Sequence, residues 1–375
     1  MRIKAAVLEE MGLDRPYGET LPLKVQMIDL EGPGPGEVLV RMAAAGLCHS
    51  DLSVMEGNRP RPLPMVLGHE AAGIVEEVGP FVEDLKPGDH VAFVFVPSCG
   101  HCNPCSEGRP ALCEPGAAHN AKGDLTTGAT RLFRHGKPIH HHCGVSSFAE
   151  YATVSRRSLV KIDPEVPLDI AGLMGCAVIT GVGTVFNAGE IKPGGSVAVI
   201  GLGGVGLAAL LGAVAAGCET ILAIDRLESK LEFARSLGAT HTLRGDDPDV
   251  VGKAREITGG GVAVALEFAG SVHALELGYA ITRRGGTTIT GGLPNPNAML
   301  RLPAVTLTAE ERTLKGSYIG SSVPSRDIPR FLNLYKRGKL PVDKLLTGRL
   351  SLEEINAGFD RLADGAAIRQ VVWFL

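Results

Sequence analysis

Four cysteines stand close enough in the chain to hold one metal ion. The run Cys99-Gly-His-Cys102-Asn-Pro-Cys105, followed by Cys113, gives C-x₂-C-x₂-C-x₇-C. Four thiolates at this spacing, separated by turn-forming Gly, Asn and Pro, can close a tetrahedral shell around zinc. A closed shell leaves no open position, so this zinc is expected to be structural. Iron–sulfur runs begin in the same way but continue x₃-C-P, and this one does not. His101 sits inside the loop (about 97–114) and is expected to be a bystander. Three other segments carry ligand-type residues: Gly46-Leu-Cys48-His49-Ser50-Asp51, Gly68-His69-Glu70 and Met174-Gly-Cys176. Taken singly, each has an ordinary reading. A cysteine among small residues is commonly a buried hydrophobe, a single histidine is commonly a satisfied core or surface residue, and Asp51 and Glu70 could be exposed acids.

A second chemistry is written in Gly201-Leu-Gly203-Gly204-Val205-Gly206, which fits G-x-G-x-x-G. A buried strand precedes it and a helix follows, the context that gives the pattern meaning. The first Gly allows the tight turn, the second lets the backbone approach a pyrophosphate, and the third packs helix on strand. The helix N-terminus then offers N–H groups to the phosphates. The ribose-binding acid is expected about 20 residues on, and Asp225 ends Ile221-Leu-Ala-Ile-Asp225. A carboxylate there repels a 2′-phosphate, which favours NAD over NADP. The adjacent Arg226 works against that preference, and a simpler role for Asp225 is to cap the next helix. Lys230, in that helix, is a further cofactor candidate.

These segments need elements to position them. Up to about residue 178 the chain is rich in Gly, Pro and short β-prone runs, such as 37–41, 72–78 and 90–96. From Gly195 the rhythm changes to alternation. Strands at 196–200, 219–225, 240–244, 262–268 and 286–291 alternate with helices near 204–216, 227–237, 248–258 and 271–281. That alternation predicts βαβ units and a parallel sheet. Two amphipathic helices, near 325–337 and 351–363, and a strand at 368–374 close the chain. The 375 residues suit two domains, and 49 glycines against 8 cysteines exclude a disulfide scaffold. The net charge of −4 excludes a generally basic, nucleic-acid-coating surface. Pro193–Cys218 carries no charge and is long enough to span a bilayer, but its glycines break it into strand, turn and helix, so no membrane span is expected. The N-terminal apolar stretch is too short for a secretion signal, so a cytoplasmic setting with reduced cysteines is expected.

In this combination and order, the segments resemble the medium-chain zinc-dependent alcohol dehydrogenases, of the long-insertion dimeric type. The resemblance runs from the first strand to Arg369. It implies an α/β Rossmann coenzyme domain at 179–318 and a β-rich GroES-like catalytic domain at 1–178 and 319–375, with the active site in the cleft between them. It implies a catalytic zinc on Cys48, His69 and Cys176, the Cys₂His set with an open position described for alcohol dehydrogenases. Two thiolates and a neutral imidazole bring that ion to a formal charge of zero, which suits reversible alcohol–aldehyde interconversion. Ser50 would take the alcohol proton. Many relatives relay it to a His three residues later, where this chain has Ser53. Asp51 would orient His69, and Glu70 would lie behind the zinc. His49 and Arg369 would contact the pyrophosphate, and Thr180 and Val205 would position the nicotinamide.

The segment between Cys113 and Phe148 corresponds to an insertion that helps wall the substrate pocket, whose candidates are Phe95, His142, Cys143, Leu293 and Tyr318. Three consecutive histidines, His140 to His142, invite a metal reading. Neighbours in extended chain point oppositely, however, and a third metal is not expected. The implied reaction is NAD-dependent interconversion of an alcohol with its aldehyde or ketone, with two zincs per chain and a homodimer. The alternatives are the S-(hydroxymethyl)glutathione (formaldehyde) branch and a non-catalytic zinc- and dinucleotide-binding protein. The former usually has acids where this chain carries Arg59 and Arg61, which are expected to be exposed loop residues.

Overall fold

The computed structural model describes residues 1–375, which divide into two compact units. The first comprises Met1–Cys176, Val323–Leu332 and Asp343–Leu375; the second comprises Ala177–Ser322 and Asn333–Val342.

The first unit holds two β-structures. Strands Arg2–Leu8, Leu23–Leu30, Leu132–Arg134, Lys137–His141 and Met65–Val66 close a small barrel. A seven-stranded sheet runs in the order Leu159–Lys161, His90–Phe93, Glu70–Val78, Glu37–Gly46, Arg369–Trp373 and Leu346–Leu350, with Tyr151–Ser155 also pairing Glu37–Gly46. The inward apolar positions of these strands are buried in two clusters, one with Phe93, Phe148 and Phe359 and a smaller one with Ile3, Ile28, Leu132 and Ile139. Register decides what meets at the sheet edge. Gly46 lies opposite Glu70 on one side and Val371 on the other. The chain therefore reaches Cys48, His69, Glu70 and Arg369 at neighbouring points.

The second unit is a six-stranded parallel sheet in the order His241–Arg244, Thr220–Asp225, Ser196–Ile200, Val262–Glu267, Thr282–Thr290, Thr313–Gly316. The alternation is as read from the sequence, with two differences. The fifth strand starts at Thr282 rather than 286, and the edge strand Thr313–Gly316 was not foreseen, because it has only four residues and none of them is buried. Ile200 pairs with both Ile224 and Glu267, and Glu267 with Thr290. The carboxyl ends of the strands are thus in register, which is where open α/β sheets bind ligands.

One long helical stretch, Leu168–Ala188, is apolar enough to cross a membrane by length and composition, and its apolar window lies wholly inside the protein. The glycine-interrupted run at 193–218 forms the strand Ser196–Ile200 and the helix Gly204–Ala215, as expected.

Candidate functional site

Cys48 caps the short helix His49–Met55, directly after the strand that ends at Gly46. His69 precedes the strand Glu70–Val78. Gly68 makes that approach with φ of +91°, and an added Cβ there would meet Ser147 and the Phe148 backbone. Cys176 lies in a π-helical turn, Met174–Val178, the irregularity that often re-aims a functional side chain. Gly175 packs so closely that a Cβ would overlap the Phe93 carbonyl. Three distant segments thus converge. The ligand atoms of Cys48, His69, Glu70 and Cys176 all lie within 4.8 Å of one another, and all four residues are buried.

His69 is prepared as a ligand. Its Nδ1 lies 3.0 Å from Asp51 Oδ1, while its buried Nε2 has no hydrogen-bond partner. An N–H donated from Nδ1 to Asp51 leaves the Nε2 lone pair free, the orientation that metal-binding imidazoles adopt. The two thiols are unlike. The neighbouring Cys176, opposed by burial, holds the Cys48 thiol well below its usual range, while Cys48 in turn, together with burial, pushes the Cys176 thiol up. Without a cation, two adjacent buried thiolates repel, so one keeps a proton; a divalent ion removes the conflict. An orphaned imidazole nitrogen beside two buried thiols fits zinc.

Asp51 and Glu70 are fully buried, which removes the exposed-acid reading of both. Burial raises the Asp51 carboxyl, but His69 and His142 outweigh it and hold the group below its usual value. Burial pushes Glu70 up to about 7 against the pull of Arg369. Arg369 is itself buried and pairs with Glu70. Ser50 is half-buried and His49 exposed on the same helix. Phe95 meets His69 edge-on at 5.1 Å between ring centres. His142 and Cys143 come from the loop after strand Lys137–His141. Arg59 and Arg61 are half-buried rather than exposed, contrary to expectation; Arg61 Nη1 donates to the Asn120 carbonyl at 3.4 Å, and Asn120 donates to the Phe95 carbonyl at 3.0 Å.

The other four cysteines form a second group, again with all sulfurs within 4.8 Å. Backbone N–H groups point at the sulfurs: Cys99 N and Gly116 N on Cys113 Sγ, at 3.1 and 3.3 Å, and Cys102 N on Cys99 Sγ at 3.3 Å. The His101 and Cys102 amides, working against burial, lower Cys99 to about 6, whereas burial pushes Cys105 up to about 12. His101 turns its ring to the Cys99 carbonyl and stands outside the group.

In the second unit, Gly201 adopts φ of +87°, and a Cβ there would meet Ala269 at 2.5 Å. Gly206 packs so that a Cβ would overlap the Gly201 carbonyl, while a Cβ on Gly203 would meet nothing within 4 Å. The turn is therefore tight on the sheet side and open at Gly203, a cradle that fits a pyrophosphate. Gly204 and Val205 begin the helix. Gly181 packs against the Val205 carbonyl and Ala209, which sets the neighbouring Thr180 beside this helix. Asp225 ends the second strand and already accepts two backbone bonds, from Leu202 N (2.7 Å) and Leu227 N (3.0 Å). The second bond holds the turn before the helix Glu228–Ser236, whose N-cap is Leu227 with no side-chain cap, so Asp225 does not cap that helix. Arg226 is exposed and Lys230 half-buried. Leu293 and Tyr318 belong to this unit and are exposed.

Sequence reasoning did not foresee Glu267. It is a buried carboxylate that accepts from Gly270 N (2.7 Å) and Thr290 Oγ1 (2.7 Å), tying together the strand ends beside the glycine turn. An acid closing an apolar strand, Val262-Ala-Val-Ala-Leu-Glu267, was the available signal.

Residues 34–164 match the alcohol dehydrogenase GroES-like domain family, and residues 204–337 the zinc-binding dehydrogenase family. The chain is 42% identical to a Mycobacterium tuberculosis protein named alcohol dehydrogenase D, over 99% of this chain and 100% of the relative. It is 40% identical to the NDMA-dependent alcohol dehydrogenase of Amycolatopsis methanolica, over 99% of each chain. The crystal structure of benzyl alcohol dehydrogenase from Acinetobacter calcoaceticus superimposes with a TM-score of 0.93 at 35% identity, covering both chains fully.

Proposed function

The chain belongs to the medium-chain zinc-dependent alcohol dehydrogenases, and on that premise we propose that it interconverts alcohols with aldehydes or ketones by hydride exchange with NAD. The observation that carries the reading is the buried convergence of Cys48, His69 and Cys176, with His69 Nε2 unpartnered. These three residues would hold the catalytic zinc, and Cys99, Cys102, Cys105 and Cys113 a structural one. When bound, zinc supplies Lewis acidity to the substrate oxygen and NAD a hydride acceptor.

The chain's own residues do the rest. Ser50, at the start of the helix that Cys48 caps, takes the hydroxyl proton. Asp51 fixes the His69 tautomer. Glu70, paired with Arg369, lies behind the thiolates and balances that buried arginine. Gly201, Gly203 and Gly206 shape the phosphate turn, and Gly204 opens the helix whose N–H groups face it. Thr180 and Val205 flank the nicotinamide side, while Asp225 faces the adenosine ribose and disfavours a 2′-phosphate. His49, Arg226, Lys230 and Arg369 complete the cofactor contacts, Arg369 only insofar as its Glu70 pairing leaves a face for phosphate. Phe95, His142, Cys143, Leu293 and Tyr318 set substrate preference. Two benzylic features support testing aromatic alcohols first: Phe95 stands edge-on to His69, and a benzyl alcohol dehydrogenase shares the fold at TM-score 0.93. A homodimer and a cytoplasmic, thiol-preserving setting complete the reading; all eight cysteines are free thiols.

The test is a panel of primary, secondary and benzylic alcohols with NAD, with and without added NDMA, on which the relative from Amycolatopsis methanolica depends by name, beside elemental analysis. Two zincs per chain and alcohol-dependent NADH formation are expected, and Ser50→Ala should lower turnover by roughly 10²–10⁴-fold. One zinc with no alcohol-dependent signal would replace the enzyme with a binding protein. Activity with formaldehyde only in the presence of glutathione would move it to the glutathione branch. Equal kcat/KM with NADP would remove the role given to Asp225.

A further inference from the structure

Asp51 uses its two oxygens unequally. Oδ1 accepts from the Gly68 N–H at 3.1 Å and lies 3.0 Å from His69 Nδ1. His142 Nδ1 approaches the same oxygen to 3.1 Å, at an angle outside a straight hydrogen bond. Oδ2 is buried and has no partner. Two hydrogen-bonded nitrogens and the approaching His142 ring nitrogen thus crowd one oxygen while the other is bare. A bare buried acceptor is costly, so the surroundings must impose this orientation.

The His142 ring reaches Asp51 from a loop that is anchored on its own. The His142 N–H donates to Ser146 Oγ at 2.9 Å, and the N–H groups of Val145 and Ser146 return to the His142 carbonyl at 3.0 and 3.2 Å. Cys143, Gly144 and Ser146 all adopt positive φ, between 53° and 63°. Non-glycine residues hold that conformation only where the surroundings over-determine it. His142 then stands edge-on to His69, with ring centres 5.5 Å apart and planes at 89°. An apolar ring would wall a pocket equally well and would avoid burying a polar nitrogen. The polar contact with Asp51 therefore needs its own reason.

We propose that His142 is a positioning residue for the catalytic zinc site: it holds the Asp51 carboxylate so that Oδ1 faces His69, which fixes the direction of His69 Nε2. This rests on the reading that Cys48, His69 and Cys176 hold zinc. The restraint comes from a third segment, itself tied to the His69 segment by the Ser147 and Phe148 N–H groups on the Gly68 and Leu67 carbonyls (both 3.1 Å), so the ligand cannot turn unless the 142–146 loop also gives way. Asp51, His69 and His142 also lie close enough together to form a metal group of their own, and the experiment separates that possibility.

Zinc-loaded wild type, His142→Phe and His142→Asn are compared for transfer of zinc to a chromogenic chelator, total metal content, kcat and KM. In His142→Phe one of the two zincs should leave about 10- to 100-fold faster, the scale typical of lost outer hydrogen-bonding partners. The other zinc should leave at the wild-type rate, which shows that the fold is intact. His142→Asn keeps an N–H donor near the Nδ1 position and should restore most of the slow release. Unchanged release with an altered KM would make His142 only a pocket wall and overturn the proposal. Equal acceleration of both zincs would assign it to general stability and also overturn it. Three metals in wild type falling to two in His142→Phe would show a metal site instead. A wild type holding only the structural zinc would overturn the catalytic-zinc reading itself, an outcome visible before any variant is made.

Discussion

His141 and His142 are adjacent, both buried, and opposite in character. Burial, with His140 and Arg131 nearby, drives the His141 imidazole down to about 3, and its Nε2 accepts the Arg131 N–H at 3.1 Å. Burial pushes His142 the same way, but Cys143 and Asp51 outweigh it and raise the ring to about 9. The opposite directions expected of neighbours at the end of a strand account for the contrast. The difference has a consequence for stability. The folded pKa of His141 lies below the ordinary 6.5. As pH falls below 6.5, the unfolded chain takes up a proton there and the folded chain does not. Stability should therefore decline from about pH 6.5 down towards 3. Urea midpoints at pH 7.5 and 5 measure the decline, and His141→Gln, which keeps an acceptor, should flatten it; an equal slope in the variant would place the acid sensitivity elsewhere. The sequence showed three histidines and their alternation. It could not show which one would meet Asp51, because that partner lies far back in the chain.

Among the elements, the helical stretch Leu168–Ala188 is the least legible in the sequence and the most consequential. Its composition says buried, and it is buried. Nothing in the composition says that turns of π-helix at Met174–Val178 and Thr184–Ala188 interrupt it. Those interruptions depend on what packs outside, such as the Phe93 carbonyl against Gly175. Gly175→Ala should therefore displace the turn that carries Cys176. The overpacking cost is about 1–3 kcal/mol, and elemental analysis should find the structural zinc kept and the catalytic zinc lost. A variant with both zincs and normal activity would show that the turn tolerates a methyl group. The parallel sheet of the second unit was legible for the opposite reason. Its strands are apolar runs bounded by glycine and charge, and this local pattern survives folding. The edge strand Thr313–Gly316 escaped because an edge needs no apolar run.

At the scale of the whole molecule, the proposed homodimer would place a second copy of the chain against that edge strand and the segment that precedes it. Met299 is 81% exposed and Val305 71%, with Leu307 nearby also exposed. Apolar side chains beside an unpaired strand edge invite association. Light scattering should give twice the 39.2 kDa chain mass, and Val305→Asp with Met299→Glu should shift it towards one chain; an unshifted mass would place the contact elsewhere. The glycine turn and the cysteine loop could be found in the sequence because each is a local signature, whereas Cys48, His69 and Cys176 stand on three distant segments, each ordinary alone, and only the family resemblance joins them. The pairing of Glu70 with Arg369 could not, being a matter of sheet register across 299 positions. That same register bears on how the chain is born. The strand Glu37–Gly46 receives its neighbour Arg369–Trp373 from a segment made more than 300 residues later, whereas the sheet of the second unit, from Ser196 to Gly316, is finished earlier. On the ribosome, the seven-stranded sheet is thus completed after the parallel sheet, although its first strands are made before it. Until Arg369 emerges, Glu70 lacks the cation with which it pairs in the folded chain.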